Sequence, residues 1–203
     1  MTDGERGVFR DFEVTLTAGA RDYVKDHYRN ASCILEYGSG GSTMFAAAAG
    51  KTVITTESNP SWLLELMGAY KERKLPGDII PIYVDLGETK EWGFPADHSK
   101  WENWPDYPRK AWQYCSENSI SPDVVLIDGR FRVASFIASC LKTTTPMTVL
   151  FDDYVGRPHY HGVSNIIGPA QIIDSRLAVF EVEPGLISAE YLYDHLQYFH
   201  DPK

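Results

Sequence analysis

The sequence predicts an α/β protein built on a doubly wound parallel sheet, and three observations carry that expectation. Short apolar runs alternate with helix-forming segments through the first three quarters of the chain. The runs "SCILEYG", "PDVVLIDG" and "MTVLFDDY" are apolar on both faces, as strands covered by helices on two sides must be. Several of them end in an acid, which parallel strands bring to one shared edge.

The elements follow in order. "TAGARDYVKDHYR" is helix-like and leads into the first strand, "SCILEYG"; after the glycines, "STMFAAAAG" is alanine-rich and ends at Gly50. "KTVITTES" is a β-branched second strand, and "SWLLELMGAYKERK" carries apolar residues at helical spacing. "DIIPIYVDLG" is a third strand whose Pro81 marks irregularity or a sheet edge. "PDVVLIDG" and "MTVLFDDY" are the fourth and fifth, with "RFRVASFIASCLKT" as the helix between them. Residues 88–118 break the rhythm: they hold four of the five tryptophans and three prolines. They are read as an insertion in a single domain spanning 1–203, serving as an ordered lid or as a contact in a homo-oligomer.

Composition bounds the partners. A chain of 203 residues, 43% hydrophobic and 23% charged, can bury a sizeable core as one domain. Its net charge of -9 argues against nucleic acid and anionic membranes, whose phosphates would be repelled at long range. No apolar run approaches the roughly 20 residues of a membrane helix, and the start "MTDGERG" lacks the features of a signal peptide, so the expected compartment is the cytoplasm. Cys33, Cys115 and Cys140 are odd in number and far apart, which favours buried thiols over a disulfide or zinc framework.

The glycine-rich stretch "LEYGSGGSTMFAAAAGKT" contains two phosphate-site look-alikes. A P-loop fails, because Phe45 stands where its first glycine belongs and Gly50-Lys51-Thr52 falls at the start of a strand. A dinucleotide fingerprint is matched at Gly38 and Gly40 but has Thr43 in its third place. What remains is an acid, Glu36, at a strand end, then Gly38, Ser39 and Gly40 turning the backbone toward a ligand, then a helix start with Ser42 or Thr43 as cap. Glu57, followed by Ser58, closes the second strand at about the 20-residue offset from which a carboxylate reaches ribose hydroxyls. Asp85, Asp128, Asp152 and Asp153 end the later strands, so all six acids are expected along one edge.

On these residues the chain resembles the class I S-adenosylmethionine-dependent methyltransferases. "ILEYGSGGST" is similar to their first motif, with Ser42 in place of its third glycine; "TTES", "VDLG" and "VLIDG" resemble the second, third and fourth, and "RLAVFEVEPGLISAEYLY" their closing antiparallel strand pair. The resemblance implies a doubly wound, mostly parallel seven-stranded sheet with an antiparallel C-terminal strand, and S-adenosyl-L-methionine as cofactor. Glu36 would orient its amino-acid end, with Gly38 and Gly40 beneath, Glu57 on both ribose hydroxyls and Asp85 beside the adenine. Asp128, Asp152 and Asp153 resemble the Mg2+ site of catechol-type O-methyltransferases, although Asp153 stands for the usual Asn and Phe131 for the catalytic Lys of that group. The alternative for these acids is pairing with Arg130, Arg132 and Arg157. Asp128, Asp153 and Arg157 are therefore the candidate catalytic residues, and the implied reaction is methylation of a small molecule at oxygen. His159 and His161, just past the fifth strand, alternate and make a poor chelating pair; Tyr70 and Lys74 imitate an oxidoreductase dyad in the wrong place. A nicotinamide-dependent oxidoreductase and an inactive methyltransferase-like binding module are the competing readings.

Overall fold

The structure, a computed structural model, describes residues 10–203. Helix α1 (Ala18–Asn30) precedes β1 (Cys33–Tyr37), α2 (Gly41–Ala48), β2 (Thr52–Glu57), α3 (Pro60–Arg73) and β3 (Asp78–Tyr83). Then come α4 (Asp106–Glu117), β4 (Val124–Ile127), α5 (Arg132–Lys142), β5 (Met147–Phe151), β6 (Gln171–Ile173), β7 (Leu177–Val182) and α6 (Ala189–Asp194). The seven strands form one sheet in the order β3-β2-β1-β4-β5-β7-β6, parallel from β3 to β5 and antiparallel at β7 and β6. β1 and β4 are wholly buried, which is why their sequences show no alternation. β3 is the edge strand, and there Pro81 lacks no partner that an interior strand would need.

Two apolar clusters fill the two sides of the sheet. Leu35, Tyr37, Val125 and Ile127 pack with Trp112, Phe136 and Phe180 on one, while Ile34, Val53, Leu126 and Leu150 pack with Tyr28, Met44 and Leu66 on the other. Each central strand thus contributes alternate residues to both clusters. The three cysteines are buried and free, as expected.

Two expectations are corrected. Residues 106–117 are no part of a loop: they are α4, the crossover helix between β3 and β4, with Tyr107, Ala111, Trp112 and Cys115 buried along one face. The remaining residues, 88–105, hold a Thr89–Pro95 bridge and two short 3-10 turns. The closing strand pair is β6 with β7, whereas "ISAEYLY" enters α6, where the Ser188 hydroxyl accepts the Tyr191 N–H at 3.0 Å. No helix among the described residues is long and apolar enough to cross a membrane.

Candidate active site

The site lies where β1 and β4, adjacent and parallel, send their chains to opposite sides of the sheet, the switch point at which open α/β sheets bind ligands. Gly38 has φ +95°, and a Cβ there would stand 2.9 Å from the backbone of Gly129, so the turns after β1 and β4 touch through two glycines. Gly41 is needed for another reason: a Cβ would collide with the Glu13 backbone, because a strap, residues 11–16, crosses the start of α2.

Beneath the glycine turn is a buried brace. Glu36 is fully enclosed; Tyr28 Oη donates to its Oε1 at 2.6 Å and the Thr43 hydroxyl donates to its Oε2. Burial pushes the Glu36 carboxyl up to about 6, against the opposing hydrogen bonds from Thr43, Tyr28 and Ser42. Thr43 Oγ1 also accepts the Gly40 N–H at 3.0 Å, and the helix N-cap is Gly40 itself, not Ser42 or Thr43. Glu36 and Thr43 therefore hold the turn from below, while Gly38, Ser39, Gly40 and Ser42 line a cavity of about 890 Å³. That volume lies in the upper part of the range of small-molecule sites, roughly 300–1,000 Å³.

Glu57 faces this cavity from the end of β2. Its Oε1 accepts the N–H groups of Ser58 (2.7 Å) and Asn59 (2.9 Å), and its Oε2 accepts the Ser39 hydroxyl (2.9 Å) and N–H (3.3 Å). Of these four donors only the Ser39 hydroxyl can rotate away. Trp62 Nε1 donates to Ser39 O at 2.8 Å and fixes the turn laterally. Ser58 Oγ donates to Gly93 O at 3.1 Å, which ties the 88–105 segment to the rim; Trp92, Gly93 and Phe94 line the cavity, Trp92 at φ +62° and 81% exposed. Asp85 is not brought in. It accepts the Gly87 N–H at 3.0 Å, pairs with Lys100 at 3.5 Å and closes its own loop.

The acids past β4 and β5 meet arginines. Asp152, buried, is gripped by Arg176 Nε (2.7 Å) and Nη2 (2.6 Å). Asp153 pairs with Arg157 at 2.7 Å and Arg176 at 3.1 Å. Arg132, 3% exposed, donates to the carbonyls of Gly129, Asp152 and Asp128 and to Asp128 Oδ1 at 3.0 Å. Desolvation raises the Asp128 carboxyl well above the usual range, Arg132 opposes this, and the Asp152 and Asp153 charges add to it. This corrects the Mg2+ expectation: three guanidinium groups already neutralise Asp128, Asp152 and Asp153, and no three described His, Cys, Asp or Glu side chains are placed to hold a metal. The pairing partner expected in Arg130 is instead Arg176.

His159 and His161 do not line the cavity; His161 Nε2 lies 3.0 Å from Tyr154 O. Tyr70 donates to Gly77 O at 2.8 Å, and Lys74 ends α3. Sequence reasoning missed the strap, Trp62, Tyr107 and Arg176 as wall residues.

No family model matches the chain, and no curated protein matches it. Among solved structures, a methyltransferase-like protein from Silicibacter pomeroyi is 36% identical over 94% of this chain and 98% of its own, with TM-score 0.88. An O-methyltransferase from Bacillus cereus, in complex with S-adenosylhomocysteine, shares the fold at 15% identity and TM-score 0.57, over 86% of this chain and 84% of its own. With the motif order, the strand order and the full-length likeness in agreement, the chain belongs to the class I S-adenosylmethionine-dependent methyltransferase family.

Proposed function

We propose that the protein transfers a methyl group from S-adenosylmethionine to an oxygen of a small molecule. The observation that supports this best is the Glu57–Ser39 pair at the rim of the cavity, in a chain 36% identical to a methyltransferase-like protein. Glu57 would take the ribose hydroxyls in place of the Ser39 hydroxyl while Ser58 and Asn59 keep its other oxygen occupied, and Gly38, Ser39 and Gly40 would hold the amino-acid end. Glu36 and Thr43 act by bracing that turn; Asp85, outside the cavity, has no part.

When bound, the cofactor supplies an electrophilic methyl group on sulfur. Asp128 is the base: it would take the acceptor's hydroxyl proton, and its raised pKa suits proton uptake near neutrality. Arg132 holds one oxygen of that carboxylate and leaves Oδ2 without a donor among the described residues. Asp153 and Arg157, paired at 2.7 Å, form the polar wall that orients the acceptor. Positive charge at the site comes from arginines, so magnesium has no step in this reading.

Calorimetric titration with S-adenosylmethionine, S-adenosylhomocysteine and NAD, each with and without magnesium, tests it. Micromolar binding of the first two, indifferent to magnesium, is expected. Binding of NAD alone would overturn the methyltransferase reading, and silence with all three would make the chain a module without the cofactor.

A further inference from the structure

Arg130 differs from every other arginine at the site. It is 8% exposed, and among the described residues its Nε has no hydrogen-bond partner and its side chain forms no ion pair. Asp128, Asp152 and Asp153 are matched by Arg132, Arg157 and Arg176, three charges against three. Arg130 is the unmatched fourth cation. Its backbone N–H donates to Tyr107 Oη at 3.3 Å, and its guanidinium rests on the face of Phe94, 5.0 Å from the ring centroid. Burial and the charge of Arg132 pull its pKa down, yet a guanidinium keeps its proton in a protein. A buried cation with no counterion is a standing penalty that folding alone does not repay. The fold places it in the wall of the cavity, beside Asp128 and Arg132 and against Phe94 of the 88–105 segment.

We propose that Arg130 binds a carboxylate of the methyl acceptor, so that the substrate class is a small hydroxy acid. This rests on the methyltransferase reading above. A planar carboxylate fits the two-pronged edge of a guanidinium, and its charge supplies the counterion that the resting site lacks. The cofactor's amino acid carries a competing carboxylate, which belongs over the Gly38–Gly40 turn, whereas Arg130 follows β4, leans on Phe94 and shares its wall of the cavity with Arg132 and Arg157, the latter part of the pair that orients the acceptor.

The test titrates acetate, benzoate and protocatechuate, with benzamide as the neutral control, into the protein free and saturated with S-adenosylhomocysteine. Wild type, Arg130→Gln and Arg130→Met are compared. At least one carboxylate is expected to bind wild type, more weakly as salt rises, while benzamide does not; Arg130→Gln loses about tenfold or more of that affinity and keeps its affinity for S-adenosylhomocysteine. Arg130→Met, which removes an uncompensated charge, is expected to melt no lower than wild type without ligand. The proposal falls if no carboxylate binds, if Arg130→Gln binds them as well as wild type, or if it loses S-adenosylhomocysteine in equal measure. It falls equally if Arg130→Met unfolds or melts well below wild type, since the side chain is then structural. Failure of wild type to bind S-adenosylhomocysteine is a separate result against the cofactor reading, because the carboxylates are also titrated into the free protein.

Discussion

Replacing Glu36 by Gln gives a stability effect whose sign and size follow from the brace beneath the glycine turn. The buried carboxyl is pushed from 4.5 up to about 6. A shift of about 1.5 units corresponds to about 2 kcal/mol of preference for the protonated form in the folded state. Because the folded pKa is the higher one, the folded protein holds the extra proton: this contribution is complete below about pH 4.5 and is lost as pH rises through about 6. Gln cannot titrate. The stability gap between wild type and Glu36→Gln should therefore shrink by about 2 kcal/mol between pH 4.5 and 7.5. With a urea m-value of about 2–3 kcal/mol/M, that is a relative midpoint change of about 0.7–1 M in parallel urea titrations. Other groups titrating in this window cancel in the difference. A gap that is constant with pH would refute the reasoning and mean that Glu36 is ionised in the fold at no cost.

Gly38→Ala should destabilise by about 2–4 kcal/mol and abolish binding of S-adenosylhomocysteine, since the new Cβ meets the Gly129 backbone at a φ of +95°; melting and calorimetry check it. Arg132→Met leaves the part-buried Asp128 carboxylate and three carbonyls without their buried donor and should cost about 3 kcal/mol by urea denaturation, with an unchanged m-value. Asp128→Asn should retain cofactor binding but lose turnover; in wild type, turnover should rise through about pH 7, because a base acts only once deprotonated. Limited proteolysis should cut residues 88–105 more slowly with S-adenosylhomocysteine bound, and equal rates would remove the lid role.

The sheet was legible because β1, β4 and most of β2 and β5 are buried on both faces, and the acids that end the five parallel strands share one edge as a direct result of parallel pairing. α4 was hidden by Pro105, Pro108 and the tryptophans before it, which read as loop; yet proline is tolerated in a first helical turn, and Tyr107, Ala111 and Cys115 recur at helical spacing. β6 has three residues, too few for any period to show. The acids at the site were visible one by one, but their partners were not. Arg176 precedes a strand in the sequence and gives no signal; it meets the acids only because β7 runs antiparallel to β5 with Phe151 opposite Ala178, and that register continued by two residues faces Arg176 to Asp153. A motif with metal ligands and a motif with arginine partners are thus the same letters until the neighbouring strand is known. Glu36 and Thr43 show the converse: both stand in the motif as letters, but their depth below the turn is a matter of packing.

The strap of residues 11–16 crosses α2 without a backbone hydrogen bond to the rest of the described chain. It is held by the burial of Phe12 and Leu16 in the apolar cluster beneath it, Phe12 edge-on to Trp62 at 5.0 Å between centroids, and by the exposed pair of Asp11 with Arg73 at 2.9 Å, next to that of Arg10 with Glu65 at 3.8 Å. A segment outside the ladder of backbone bonds opens locally at less cost than the sheet melts. One wall of the cavity therefore keeps its own clock, and added salt, by loosening those exposed pairs, quickens it. How long a small molecule dwells behind that wall is then governed in part by the ionic strength of the surrounding solution, whatever charge the molecule itself carries.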